Sequence, residues 1–260
     1  QSIGLLKGLY FYLPIFGLYM TGHGVSFAAI VIGQAVYSLA KFVGEVPTGV
    51  FADKYGQRIS MILGYVLEAA GLVALIVSPT VLGMNISFAL GGIAASFLSG
   101  SEEAMLFERA KSENVSYGKA YAAFLSNQTI GMVLSTLLAG FVIQSFGFTS
   151  YIPLIGVTAL AIALCAVFAL TLPRGASPIR DEGQGSGMFT MVKESMKIIR
   201  SDKTIFNLMI VGMMTVSGEY FLFNVYQDVF VRTDVPAFYL GAAMAAGLAL
   251  NALFTRGVFL

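Results

Sequence analysis

An all-α polytopic membrane protein is the fold class that this 260-residue chain predicts, and three observations carry the prediction. Hydrophobic residues make up 57% of it and charged residues only 11%, against about 25% charged in an ordinary soluble domain. Continuous apolar runs of roughly 17 to 25 residues recur, the length a helix needs to cross about 30 Å of hydrocarbon. Basic residues fall on one side of those runs. With 15 Lys+Arg and 14 Asp+Glu, the chain cannot clothe a soluble core and also populate its loops. A transmembrane β-barrel is excluded, because its strands alternate apolar and polar residues over about 10 positions.

The apolar runs, in order, are Gly4 to Met20, Ser26 to Val50, Ile59 to Val77, Val81 to Leu106, Tyr121 to Ile143, Tyr151 to Leu172, Thr204 to Val231 and Ala237 to Phe254, eight expected helices. The first lacks the small-residue cleavage pattern of a signal peptide and is read as a helix. Turn and polar residues separate the others: Thr21 to Gly24, Asp53 to Gly56, Ser78 to Thr80, Ser112 to Gly118 and Thr233 to Pro236. If the N-terminus is cytoplasmic, thirteen basic residues face inward and only Arg232 lies outside. That bias sets the orientation. Lys41 falls inside the second span.

The stretch 173–203 opens with Gly, Ser, Pro and charge and continues as Met188 to Arg200. There Met188, Val192, Ser195, Met196 and Ile199 share one helical face, with Lys193, Glu194, Lys197 and Arg200 on others. The pattern predicts a linker followed by an amphipathic helix lying on the inner membrane surface, or else a soluble linker helix.

Other totals exclude function classes. One cysteine, Cys165, and one histidine, His23, leave no disulfide framework, metal site or redox chemistry to expect. A net charge of +1 argues against nucleic acid as a partner. No phosphate-binding glycine loop is present, so no cofactor is implied. With no tryptophan, the 12 tyrosines are left to form the interfacial belt.

Between the second and third spans stands Gly49-Val-Phe-Ala-Asp53-Lys-Tyr-Gly56-Gln-Arg58. This segment resembles the signature loop of the major facilitator superfamily, and Glu45 to Gly49 and Ser99 to Ala104 look like bacterial branches of it. Gly49 and Gly56 permit a tight helix-to-helix turn, while Asp53 can accept backbone N–H groups or pair with Arg58. The resemblance implies that this loop latches two six-helix halves together in one conformation. It also implies twelve helices, of which eight are present here. On that scheme 1–172 is the N-terminal bundle, 173–203 the cytoplasmic linker with its amphipathic helix, and 204–260 the first two helices of an incomplete C-terminal bundle. Helices one, four and seven would line the path, and three and six would face outward. Ser87 to Gly92 hold no arginine, and Gly131, Ser135 and Ala139 keep a small-residue face without the proline of drug-proton antiporters.

Ionisable residues at membrane depth are functional candidates. Gln34, Ser38, Lys41 and Glu45 share one face of the second span. Lys41 and Glu68 lie at equal depth on neighbouring antiparallel spans, which predicts a buried ion pair, either static or coupled to transport. Glu102 and Glu103 point about 100° apart; with Glu45 and Arg109 they are candidates for proton coupling, or for a gate that includes Arg58 and Asp53. In the seventh span Ser217, Tyr220, Asn224 and Gln227, with Glu219 beside them, suit either a polar substrate or interhelical hydrogen bonds. Small residues in the second, fifth and eighth spans allow close packing and fit an implied place between the halves.

The expected function is secondary active transport of a small organic solute by alternating access. Proton coupling is expected, with drug or metabolite efflux favoured, in a bacterial inner membrane and as a monomer. The alternatives are an uptake permease of the same fold, or a non-transporting receptor or assembly protein. No catalytic cluster points to an enzyme.

Overall fold

The computed structural model describes residues 2–172, 188–214, 233 and 236–258, and every regular element among them is helical. In chain order these are α1 (Ser2–Lys7), a 3₁₀ turn (Leu13–Ile15), α2 (Phe16–Gly22), α3 (Phe27–Tyr55), α4 (Gln57–Val77), α5 (Val81–Ser112), α6 (Tyr117–Phe146) and α7 (Tyr151–Thr171). α8 (Met188–Ser201), α9 (Lys203–Met214) and α10 (Ala237–Val258) follow. Five helices, α3 to α7, are long and apolar enough to cross a membrane. α3 to α6 run past the apolar windows, because helix ends continue into the polar interface that a hydropathy window discards, while α7 matches its window to within one residue. α3 starts where Ser26 accepts the Ala29 N–H at 3.2 Å, and α5 where Thr80 accepts the Gly83 N–H at 3.2 Å. Between α3 and α4 the chain reverses on Gly56 alone, at φ +96°, a value that side chains bearing a Cβ rarely adopt.

α4 packs between α5 and α7, α3 lies along α5, and α1 rests on α6 and α7. Tyr19, Met20, Ile30, Tyr65, Leu75, Met84, Ile155 and Ile162 are fully buried at the centre. Ile32, Val43, Leu138, Phe141, Leu160 and Val167 project outward with more than half of their surface exposed, as lipid-facing residues do. Two glycines of the second span pack within this bundle. Gly33 meets Phe88 and Met84, and Gly44 meets Ser96, so this face is spent on α5. Thr48 Oγ1 adds a 2.9 Å hydrogen bond to the Ser96 carbonyl there. The Gly131 and Ser135 face of α6 is taken by α1, and α10 meets α6 on the neighbouring face, with Gly241 against Thr136 and Gly140.

The first apolar run is interrupted, where one continuous helix was expected. Pro14 contributes no N–H to a helix, and Gly8 presses against Gln128 and Gly131 so closely that a Cβ would collide with backbone. The freed groups find partners on neighbouring helices. The Phe11 N–H donates to Thr158 Oγ1 at 3.1 Å, and Ser135 Oγ donates to the Gly8 carbonyl at 3.3 Å. Such satisfaction is what makes broken backbone tolerable at membrane depth. The expected outward helix, α7, therefore turns one face inward, toward α1 and α4, and its polar Thr158 is fully buried.

α8 sets Lys193, Glu194, Lys197 and Arg200 in solvent and packs against α3. The expected seventh span is described only as α9. Beyond Met214 it lies outside the described residues, as does the linker 173–187.

Candidate functional site

From α1 and the turn that follows it, Lys7 and Tyr10 reach polar side chains of α5 and α4. Lys7 Nζ stands 2.5 Å from Glu102 Oε2, with only 16% and 11% of the two side chains exposed. Tyr65, from α4, donates its hydroxyl to the other carboxylate oxygen, Glu102 Oε1, at 2.7 Å. Deeper along α4, Glu68 accepts the hydroxyl of Tyr10, which the broken segment supplies. Two buried carboxylates are thus held by three side chains from the first run and α4. Ser99 Oγ donates to Glu45 Oε2 at 3.1 Å, linking α5 to α3.

Two cavities border this network. One of about 170 Å³ is lined by Lys7, Ser99, Glu102, Glu103, Tyr121 and Gln128 with apolar Leu106, Phe124 and Leu125. The other, of about 440 Å³, lies where α3 faces α8 and α9, among Ser38, Lys41, Phe42, Glu45, Val46, Ile199, Met209, Gly212 and Met213.

The expected Lys41 to Glu68 ion pair does not form. Glu68 is taken by Tyr10, and Lys41 lines the α3–α8 cavity beside Glu45. Equal depth brings two residues to one level only. α3 turns its packing face to α5, which leaves Lys41 on a different azimuth from the Glu68 face of α4. Nor does the expected gate network assemble. Glu102 is occupied by Lys7; Arg109 pairs along its own helix with Glu113 at 2.8 Å, both more than half exposed. Arg58 donates to the Leu170 carbonyl at the end of α7, supplying one of the acceptor-rich last carbonyls with a donor. Asp53 lies exposed in the last turn of α3 and neither caps a helix nor pairs with Arg58. Gly49 is exposed too, with open space around its Cα, whereas Gly56 makes the turn. Gln34 is buried and Glu103 borders the smaller cavity. Ser217, Glu219, Tyr220, Asn224 and Gln227 lie outside the described residues. Among the described residues, no group of three or more His, Cys, Asp or Glu could hold a metal.

Lys7, Tyr10, Tyr65 and Thr158 did not stand out in the sequence. Lys7 reads as an ordinary flanking cation, and the tyrosines as part of the interfacial belt. The available signal was the Gly8 and Pro14 pair inside one apolar run, since interrupted spans mark binding regions in transporters.

Charged side chains held at depth among apolar helices long enough to cross a membrane mark a multi-pass membrane protein with a candidate functional site inside its bundle. The chain belongs to the Major Facilitator Superfamily, whose family model matches residues 6–259. It is 24% identical over 218 residues to the MFS-type transporter YxaM of Bacillus subtilis, covering 83% of this chain and 53% of that protein. To the inner membrane transport protein YajR of Escherichia coli it is 25% identical over 215 residues, 81% of this chain and 46% of that protein. The chain therefore spans about half the length of these curated relatives. The crystal structure of the nucleoside transporter NupG superposes with a TM-score of 0.71 at 15% identity, covering 99% of this chain and 66% of NupG. That likeness speaks to fold alone.

Proposed function

We propose that this chain forms the N-terminal six-helix bundle (1–172), the cytoplasmic linker (173–203) and the first two helices (204–260) of a twelve-helix secondary active transporter. On this reading the protein moves a small organic solute by alternating access in a bacterial inner membrane, as a monomer with its N-terminus in the cytoplasm. The observation that carries the reading is the Lys7–Glu102 pair, 2.5 Å apart, nearly dry and open on one side to a polar cavity. A buried ion pair is weak evidence for stability, because desolvating two charges offsets most of their attraction. Its position in a family of transporters supports a working role instead.

Glu102 is proposed as the proton-coupling carboxylate. Protonation releases Lys7 and lets α1 and α5 separate; deprotonation recaptures Lys7 and draws them together. Glu68 and Tyr10 form a second step of the same path, one layer deeper. Glu45 and Glu103 flank it, and Asp53, Gly49, Gly56 and Arg58 form the latch that closes against the other half. Arg109, paired on its own helix, stabilises the end of α5. Proton-driven efflux is favoured over uptake by the Phe-rich and Met-rich walls, which adapt to varied apolar groups. Gln34, Ser38, Lys41 and Glu45 with the stripe Ser217, Glu219, Tyr220, Asn224 and Gln227 are proposed to supply polar contacts to the solute.

The test is Glu102→Gln in proteoliposomes. Proton-driven transport should be lost while counterflow exchange of solute persists, since exchange needs no net proton movement. Unchanged pH-driven transport would overturn the assignment.

A further inference from the structure

We infer that the cavity between α1, α5 and α6 binds a compact organic cation, a quaternary or protonated ammonium, through the Glu103 carboxylate and the rings beside it. The inference names a solute class for the transport reading above and rests on it for its purpose, though not for its test.

The charge of the cavity decides the sign of its occupant. Lys7, Glu102 and Glu103 are its ionisable walls apart from a tyrosine. Lys7 and Glu102 neutralise each other at 2.5 Å. Glu103, among the described residues, enters no ion pair or hydrogen bond and stays exposed. One uncompensated negative charge remains at the mouth. An anion placed there would face that carboxylate with its only cation already taken.

Two aromatic residues, Tyr121 and Phe124, line the cavity with that charge, and further rings continue from Tyr121. Tyr117 and Tyr121 stack at 5.6 Å with 25° between their planes, and Phe107 meets Tyr117 edge-on at 5.7 Å. Glu103 and Phe107 are four residues apart and share a face of α5, while Tyr117, Tyr121, Phe124 and Gln128 descend one face of α6. A carboxylate backed by ring faces is the combination that holds ammonium groups, because the ring quadrupole is negative on its face. Among the described residues the cation–π contact of the protein itself is elsewhere, Lys54 over Tyr55, so these rings carry no protein cation. At about 170 Å³ the space lies below the roughly 300–1,000 Å³ of drug-sized sites. It therefore suits a small head group.

Choline and its neutral isostere 3,3-dimethylbutan-1-ol differ by one charged nitrogen, and pivalate supplies the anion. Titrated into the protein in lipid nanodiscs, choline should bind at least tenfold more tightly than the alcohol, and pivalate should not bind. Glu103→Gln should weaken choline tenfold or more, Glu103→Asp should keep most of the affinity, and Tyr121→Leu should weaken choline severalfold. Equal binding of choline and the alcohol to the unaltered protein overturns the inference whether or not any variant folds, and so does a well-folded Glu103→Gln that binds choline normally. Solute counterflow without ammonium binding leaves the transport reading standing and removes this one. Ammonium binding that Glu103→Gln abolishes, in vesicles that show no transport, does the reverse.

Discussion

Lys7 is one cation at the end of a six-residue helix, yet it neutralises a carboxylate contributed from across the bundle. Removing it alone should leave the buried Glu102 carboxyl group held only by Tyr65. Lys7→Ala is expected to cost about 3–5 kcal/mol, and the double change Lys7→Met with Glu102→Met far less than the two singles together. Denaturant unfolding in detergent measures both, and additive singles would show that the pair is not coupled. Thr158→Val keeps the shape of a fully buried side chain but removes the acceptor of the Phe11 N–H. The stranded donor should cost about 1–3 kcal/mol, read as a lower midpoint in the same assay. Of these residues the sequence singled out Glu102 and Glu68. Carboxylates in an apolar run announce themselves by their desolvation cost, while the tyrosines and threonine that satisfy them look like ordinary interfacial or helical residues.

Helix contacts here depend on missing side chains. A Cβ at Gly131 would run into the Leu5 carbonyl and into Gly8, so Gly131→Val should push α1 off α6 and lower thermal stability by several degrees. Gly49→Val faces open space and should pass nearly unnoticed in a melt, a contrast that checks the packing argument. Asp53 is exposed and has no side-chain partner, so Asp53→Asn should change stability by no more than about 0.5 kcal/mol. If the latch proposal holds, it should nevertheless slow the conformational switch while leaving solute affinity intact; a large affinity loss at a normal switching rate would refute it. Spans α3 to α7 were legible as elements because a long apolar run has one stable form in lipid. The break at Gly8 to Tyr12 was not, since the run stays apolar throughout and only packing against Gly131 and Thr158 decides where the helix stops.

Across the whole molecule the same division holds. The native cysteine, Cys165, is fully buried, which makes topology measurable by labelling. A cysteine placed at exposed Lys54 should react with an impermeant maleimide from the cytoplasmic face, and one at exposed Thr80 from the opposite face. Labelling of both from one side would contradict the orientation drawn from the basic residues. Composition and charge placement by themselves determined the multi-pass membrane class and the five spans α3 to α7, because burying charge in hydrocarbon is costly enough to leave its mark on each of them, and the residue order of one loop gave the resemblance to the superfamily. Only the tertiary structure decided which charges meet. Depth along a helix can be counted from residue numbers at 1.5 Å per residue, but the direction each side chain faces follows from which neighbours the helices choose. That choice gave Glu68 to Tyr10 instead of Lys41, and Glu102 to Lys7.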